Sequence, residues 1–192
     1  MLDVCSLAED TLITQAQKGD RSAFGELVAR HYASVIRVVY HLCGQAQVAQ
    51  DAAQEAFIRA WVNLPGFQPR ASFRNWLFRI ATNAALDILR QRPEESIEDS
   101  AEMPAMVDQS PNPEAAYLEK EQADFLQAAV QALPEGARSV LVLREYGELS
   151  YEEIAAALEI PIGTVMSRLN YARSRLRELL REHEAKMERE YA

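Results

Sequence analysis

Apolar residues recur along most of this chain at steps of three and four, and nowhere do they alternate with polar ones as in a strand. The pattern therefore predicts an all-α fold. A short helix is expected over residues 8 to 18, closed by Gly19-Asp20. Asp20 or Ser22 can cap a second, long helix whose core face is Phe24, Leu27, Val28, Tyr32, Val35, Ile36 and Val39, and Gly44 stops it. A third helix, from about Val48 to Val62, turns Ala52 and Ala56 inward and leaves Asp51, Gln54 and Glu55 clustered outside. Residues 63 to 72, NLPGFQPRAS, hold two prolines and a glycine and must leave the helix for a loop. The next helix, Phe73 to Gln91, buries Phe73, Trp76, Leu77, Ile80 and Ala84 and offers Arg74, Asn75, Arg79, Thr82 and Asn83 on its polar side.

Residues 93 to 113 carry four prolines, six acids and no base, the composition of a flexible acidic linker. They divide the chain into two small helical domains, residues 1–92 and 114–192. The second is expected to hold four helices. One runs from Glu114 to Leu133 with Leu118, Phe125, Leu126 and Ala129 inward; the next opens at Pro134 and reaches about Tyr146, with Gly147 suited to a left-handed turn after its end.

Residues 150 to 177 then form the outline of a helix-turn-helix. Ser150 and Glu153 have the spacing of a capping box, so a helix starts at Tyr151. Ile154, Ala155 and Leu158 recur at helical spacing before Glu159, Ile160 and Pro161 make the turn. In the following helix Val165, Leu169, Ala172, Leu176 and Leu179 form one buried stripe. The opposite side holds Gly163, Ser167, Asn170 and Ser174, with Met166 and Tyr171 at its edges. Arg168 and Arg175 lie on one flank and Arg173 and Arg177 on the other, where a helix in the major groove meets phosphates of the two strands.

A net charge of −9 argues against a DNA binder until it is divided along the chain. The acid is concentrated in the linker and toward the end, whereas residues 162 to 177 hold four arginines and no acid, and residues 70 to 92 hold five arginines against Asp87 alone. Local fields, screened beyond about 10 Å at ordinary salt, are what a phosphate meets. A basic helix directly after a loop that carries Phe67 is a reasonable surface for single strands; Phe67 itself either tucks back onto the core or engages an unstacked base. Cys5 and Cys43 have no CxxC partner and no histidine at metal spacing, so neither a disulfide framework nor a metal site is expected. No apolar run approaches the roughly 18 residues of a membrane span, and the acidic amino terminus is unlike a signal peptide, so the chain reads as soluble and cytoplasmic.

The succession of DAAQEAFIRAW at 51–61, FRNWLFRIATNAALDILRQR at 73–92, a linker, and LPEGARSVLVLREYGELSYEEIAAALEIPIGTVMSRLNYAR at 133–173 resembles the extracytoplasmic-function sigma factors of bacteria, group IV of the sigma-70 family. The resemblance implies a transcription initiation factor without chemistry of its own, cofactor or small-molecule substrate. By position, Asp51, Gln54, Glu55 and Arg59 would dock on the β′ clamp helices of core RNA polymerase. Phe67, Arg70, Ser72, Trp76, Arg79 and Asn83 would recognise and hold open the minus-10 element, with a flipped base held by the loop. Thr164, Met166, Ser167, Arg168, Asn170, Tyr171, Arg173 and Arg175 would read the minus-35 element as duplex. Met166 stands where Lys or Arg is frequent, and Asn170 and Tyr171 where His, Phe or Arg often occur, which bears on promoter choice and not on the role. The resemblance also implies contact with the β flap, a linker running through the polymerase cleft, and an anti-sigma factor, often anchored in the inner membrane.

Two other readings compete. A conventional helix-turn-helix regulator would use residues 1–92 to sense or dimerise and would bind a palindromic duplex without polymerase. A recombinase-like enzyme would need a nucleophile among arginines or a carboxylate cluster for metals. The basic helix at 73–92 counts against the first, and the scattered carboxylates and histidines count against the second.

Overall fold

The computed structural model describes residues 8–68, 72–91 and 113–190, with side chains of 113–119 and 188–190 outside the description. Every regular element among the described residues is helical. Four helices precede the linker: α1 (Glu9–Gln17), α2 (Arg21–Cys43), α3 (Ala46–Asn63) and α4 (Phe73–Gln91). Four follow it: α5 (Pro113–Gln131), α6 (Glu135–Glu145), α7 (Tyr151–Leu158) and α8 (Ile162–Glu190). Leu118, expected inward on α5, lies outside the described side chains.

In the first group, alanine sets the packing. Ala52, Ala56 and Ala60 of α3 and Ala81, Ala84 and Ala85 of α4 are fully buried, so these two helices and α2 approach closely along flat faces. Leu27, Val35, Val38, Val39 and Leu42 of α2 fill the remaining core. Asp20 caps α2 by accepting from the N–H groups of Ser22 and Ala23. Gln17 of α1 donates its amide to the carbonyls of Leu64 and Phe67, at 3.1 and 2.8 Å, tying down the entry to the loop after α3. His31 of α2 is buried and holds α1 through Glu9, with Nε2 3.0 Å from the carboxylate.

Two expectations for this group change. Thr82 is fully buried, on a helix that packs against α2, α3 and α7. Tyr32 is 45 % exposed and lies outside the core face, its ring stacked on Phe57.

In the second group Val140, Leu143, Leu149, Ile154, Val165, Leu169 and Ala172 form the core of the helix-turn-helix. The capping box is present: Ser150 Oγ accepts from the N–H of Glu153, and the Glu153 carboxylate accepts from the N–H of Ser150 at 2.7 Å. The left-handed turn expected at Gly147 falls one residue later, on Glu148 at φ 57°. Gly147 is needed for space instead, since a Cβ there would lie 2.6 Å from the backbone oxygen of Leu143. The turn of the helix-turn-helix uses a second left-handed glutamate, Glu159 at φ 55°. Leu126, expected inward on α5, is 38 % exposed and lines a shallow groove with Leu176 and Leu180 of α8.

The two groups touch. α2 packs on α5 and α6, and α4 packs on α7. The rings of His41 and Tyr146 stack with centroids 3.5 Å apart, and Gln131 of α5 donates to the carbonyl of His41 at 2.9 Å. Gly44, left-handed at φ 80° after the end of α2, permits that approach: a Cβ there would sit 2.8 Å from Gln131 Cδ.

Candidate nucleic-acid and protein interfaces

Three surfaces collect the residues singled out in the sequence. The first is the outward side of α3. Asp51 and Gln54 are exposed, and Gln47 donates to Asp51 at 3.3 Å. Arg59 bridges Glu55 one turn away and Asp87 of α4, each at 2.7 Å. Hydrogen bonds, first to Asp87 and then to Glu55, raise the pKa of its guanidinium further. Next to these polar groups the sequence reading missed an apolar groove of about 650 Å³ between α2 and α3, lined by Phe24, Val28, Tyr32, Phe57, Ile58 and Trp61. Ile58 is 53 % exposed and Val62, one turn on, 68 %, extending the apolar surface on this side of α3. The signal was available in the sequence: both residues sit on the polar side of α3.

The second surface is the start of α4 and the loop before it. Phe67 is buried against Phe73 and Trp76, with ring centroids 5.8 and 5.0 Å away. Its ring thus forms the floor beneath Trp76, which remains partly exposed beside Arg79. Ser72 is exposed and caps α4, accepting from the N–H of Asn75 at 3.2 Å. Arg74 lies over the Phe78 ring, 5.0 Å from its centroid. Asn83 is exposed two turns along, in a cleft shared with Asp87 and Arg90. Arg70 lies outside the described residues.

The third surface is α8. Met166, Ser167, Asn170 and Tyr171 are all exposed on the side opposite the buried Val165, Leu169 and Ala172. Thr164, in the first turn, is half-buried and its carbonyl accepts from Ser167 Oγ at 3.1 Å. The flanking arginines are held by neighbours. Arg173 binds Glu145 at 2.8 Å, which raises its pKa, and Arg175 binds Glu178 at 3.0 Å. Arg168 stands apart from the others, its guanidinium laid over Gly136 of α6, where a Cβ would come within 2.9 Å of its Cζ. Met166, Ser167, Asn170 and Tyr171 therefore share one exposed side of α8, and Arg168 turns toward α6.

Among the described residues no cluster of His, Cys, Asp or Glu has the make-up of a metal site, and no helix is long and apolar enough to cross a membrane.

Two stretches of the chain match known family models. Residues 27–94 match the family model of sigma-70 region 2, and residues 126–176 match that of sigma-70 region 4. The chain is 36 % identical over 179 residues to the ECF RNA polymerase sigma factor SigW of Bacillus subtilis, spanning 88 % of this chain and 95 % of that one. It is also 36 % identical over 175 residues to the ECF RNA polymerase sigma-E factor of Escherichia coli K12, spanning 87 % and 91 %. Among solved structures it resembles CnrH in complex with the cytosolic domain of CnrY, with a TM-score of 0.67, 30 % identity and coverage of 91 % and 97 %. It resembles equally the sigma factor RpoE of Bartonella quintana in complex with the anti-sigma factor NepR, with a TM-score of 0.67, 25 % identity and coverage of 82 % and 96 %. With both sigma-70 regions in order and near full-length relatives above 30 % identity, the chain belongs to the ECF RNA polymerase sigma factors of the sigma-70 family.

Proposed function

We propose that this sigma factor divides its work between two domains, residues 1–92 and 114–192, joined by an acidic tether at 93–113. It directs core RNA polymerase to specific promoters as an initiation factor, and the bond-making chemistry belongs to the polymerase. Asp51, Gln54, Glu55 and Arg59, together with the apolar groove beside them, form the docking face for the β′ clamp helices. Arg70, Ser72, Trp76, Arg79 and Asn83 recognise the minus-10 element, with the buried Phe67 supporting Trp76 from beneath and Trp76 and Arg79 as the partly exposed aromatic and the exposed cation that a splayed single strand needs. Thr164, Met166, Ser167, Arg168, Asn170, Tyr171, Arg173 and Arg175 serve minus-35 recognition. The β flap is a further contact of the second domain.

The observation that carries this reading is a pair of polar faces, one on each matched region: α4 with a partly exposed aromatic among bases, and α8 with exposed amide, hydroxyl and apolar groups aligned opposite its buried stripe. The first suits unpaired bases and the second suits the major groove. The solved relatives bound to CnrY and NepR support control by an anti-sigma factor here as well. The factor then works in the cytoplasm, held at the inner membrane when its anti-sigma factor is anchored there.

Transcription with purified core polymerase, this factor and a promoter library tests the reading. Initiation from a defined subset of promoters, dependent on the factor, is the expected result; initiation without sequence preference, or none, would overturn it.

A further inference from the structure

The exposed side of α8 carries its cations at the margins and none at its centre. Gly163, Ser167, Asn170 and Ser174 lie exposed opposite the buried Val165, Leu169 and Ala172, with Ile162 and Met166 along one border and Tyr171 along the other. Each of the four arginines in residues 162 to 177 is engaged to the side of that face. Arg173 is held by Glu145 of α6 and Arg175 by Glu178, at 2.8 and 3.0 Å. Arg168 fills the space that a side chain at Gly136 would take. Arg177 borders the groove between α5 and α8, beside Leu126 and Leu180.

The edges of the bases in a major groove call for different side chains. Guanine presents two acceptors, O6 and N7, and is matched by a guanidinium or an ammonium; adenine presents the acceptor N7 and the donor N6 and is matched by the amide of Asn or Gln. Thymine adds a methyl group, matched by an apolar contact. The centre of α8 offers the amide and lacks the cation. Asn170 is exposed and its amide has no partner among the described residues, so both its donor and its acceptor are open to a base edge. Ser167 Oγ, by contrast, already donates to the carbonyl of Thr164. Ile162, 42 % exposed, and Met166, 48 % exposed, stand one turn apart and form an apolar strip that leads to Asn170. Met166 and Asn170 are about 6 Å apart along the helix axis, so they meet base pairs within roughly two steps of each other.

We propose that α8 selects A·T pairs within the minus-35 element. Asn170 reads an adenine through N6 and N7, Ile162 and Met166 pack on the methyl groups of neighbouring thymines, and the four arginines grip phosphates without reading a guanine. The inference rests on the assignment of α8 to minus-35 recognition and names the bases that this recognition requires. Phosphate contacts set affinity and its salt dependence, whereas base contacts set the sequence. Here the two tasks fall to separate residues of one helix.

The test uses the full chain bound to purified core polymerase and a duplex library randomised upstream of a fixed minus-10 element. The wild type is expected to enrich A·T pairs over the minus-35 element, with no position at which guanine is preferred. Asn170→Ala should lose the preference for adenine at one position. Met166→Arg should gain a preference for guanine, within roughly two steps of that position, of about fivefold or more, the lower end of what a bidentate contact provides. Deoxyuridine lacks only the methyl group of thymine. Its incorporation in place of the selected thymines should weaken wild-type binding about fourfold, the worth of one buried methyl group, and leave binding by the I162S/M166S variant unchanged. A wild type that prefers guanine or no base at the positions these variants alter, or one indifferent to the thymine methyl groups, overturns the inference. Failure of the underlying assignment looks different: Asn170→Ala and Met166→Arg would then both select the same upstream sequences as the wild type.

Discussion

Glu153 and Asn75 join the two domains through a carboxylate that is already in use. One oxygen of Glu153 accepts from the backbone N–H of Ser150 at 2.7 Å and closes the capping box of α7, while the other accepts from the Asn75 amide of α4 at 2.5 Å. The Ser150 N–H first, and Asn75 next, hold the carboxyl pKa below its ordinary value. The folded, docked form therefore binds its proton less readily than the unfolded chain does. Its stabilisation is complete above the unfolded value of 4.5 and is lost as pH falls through the folded one. Glu153→Gln should flatten the acid limb of thermal stability below about pH 5; an unchanged acid limb would remove Glu153 from this role.

His41 gives a second, milder pH response. Burial against Tyr146 and α5 lowers its pKa, with the Gln127 hydrogen bond opposing and Arg37 adding to the shift. A base with a lowered pKa is neutral in the docked state, so separated domains take up more protons. Docking is then fully supported above 6.5 and declines as pH falls below it. Scattering of the free chain should show expansion between pH 7.5 and 5.5, and His41→Phe, which keeps a ring on Tyr146, should abolish that change.

Gly147→Ala is expected to destabilise the second domain by about 1–3 kcal/mol, the usual cost of forcing extra atoms into a packed site. The obstacle is the backbone oxygen of Leu143, 2.6 Å from the added Cβ, which has no rotamer to escape into. Chemical denaturation measures it. Gly25→Ala, where nothing lies within 4 Å of the new Cβ, should cost nothing comparable.

How much of this was legible beforehand follows from what periodicity records. The stripe Val165, Leu169 and Ala172 and the Ser150–Glu153 capping box are local, and both appear where their spacing placed them. Tyr32 and Thr82 escaped because a helical period gives a face but not its width: Tyr32 is 45 % exposed at the margin of the α2 face, and Thr82 is fully buried on an α4 that packs against three helices. The left-handed residue moved from Gly147 to Glu148 because the glycine was required by a close approach that no local signal encodes. The contacts of Arg74 with Glu148 and of Arg79 with Glu159 join residues more than 70 positions apart, and exposed charges carry no periodic trace of their partners.

Promoter choice should lie with the exposed residues of α8. Met166 is 48 % and Tyr171 52 % exposed, with Asn170 between them on the same face. Asn170→Ala should lose about 1–3 kcal/mol of discrimination at one base pair of the minus-35 element, as removal of a bidentate base contact does. Selection from a randomised minus-35 library reads this directly; a uniform loss over all sequences would make Asn170 a backbone contact instead.

The division of labour between the domains is tested most directly by measuring core-polymerase affinity and minus-35 protection side by side for two variants. Asp51→Arg, on the outer face of α3, should weaken core binding at least about tenfold, close to 1.4 kcal/mol. The holoenzyme it still forms should protect minus-35 DNA normally. Asn170→Ala paired with Tyr171→Ala should leave core affinity intact and lose the minus-35 protection. If both variants weakened the same step to the same extent, the assignment of polymerase docking to α3 and duplex reading to α8 would be contradicted.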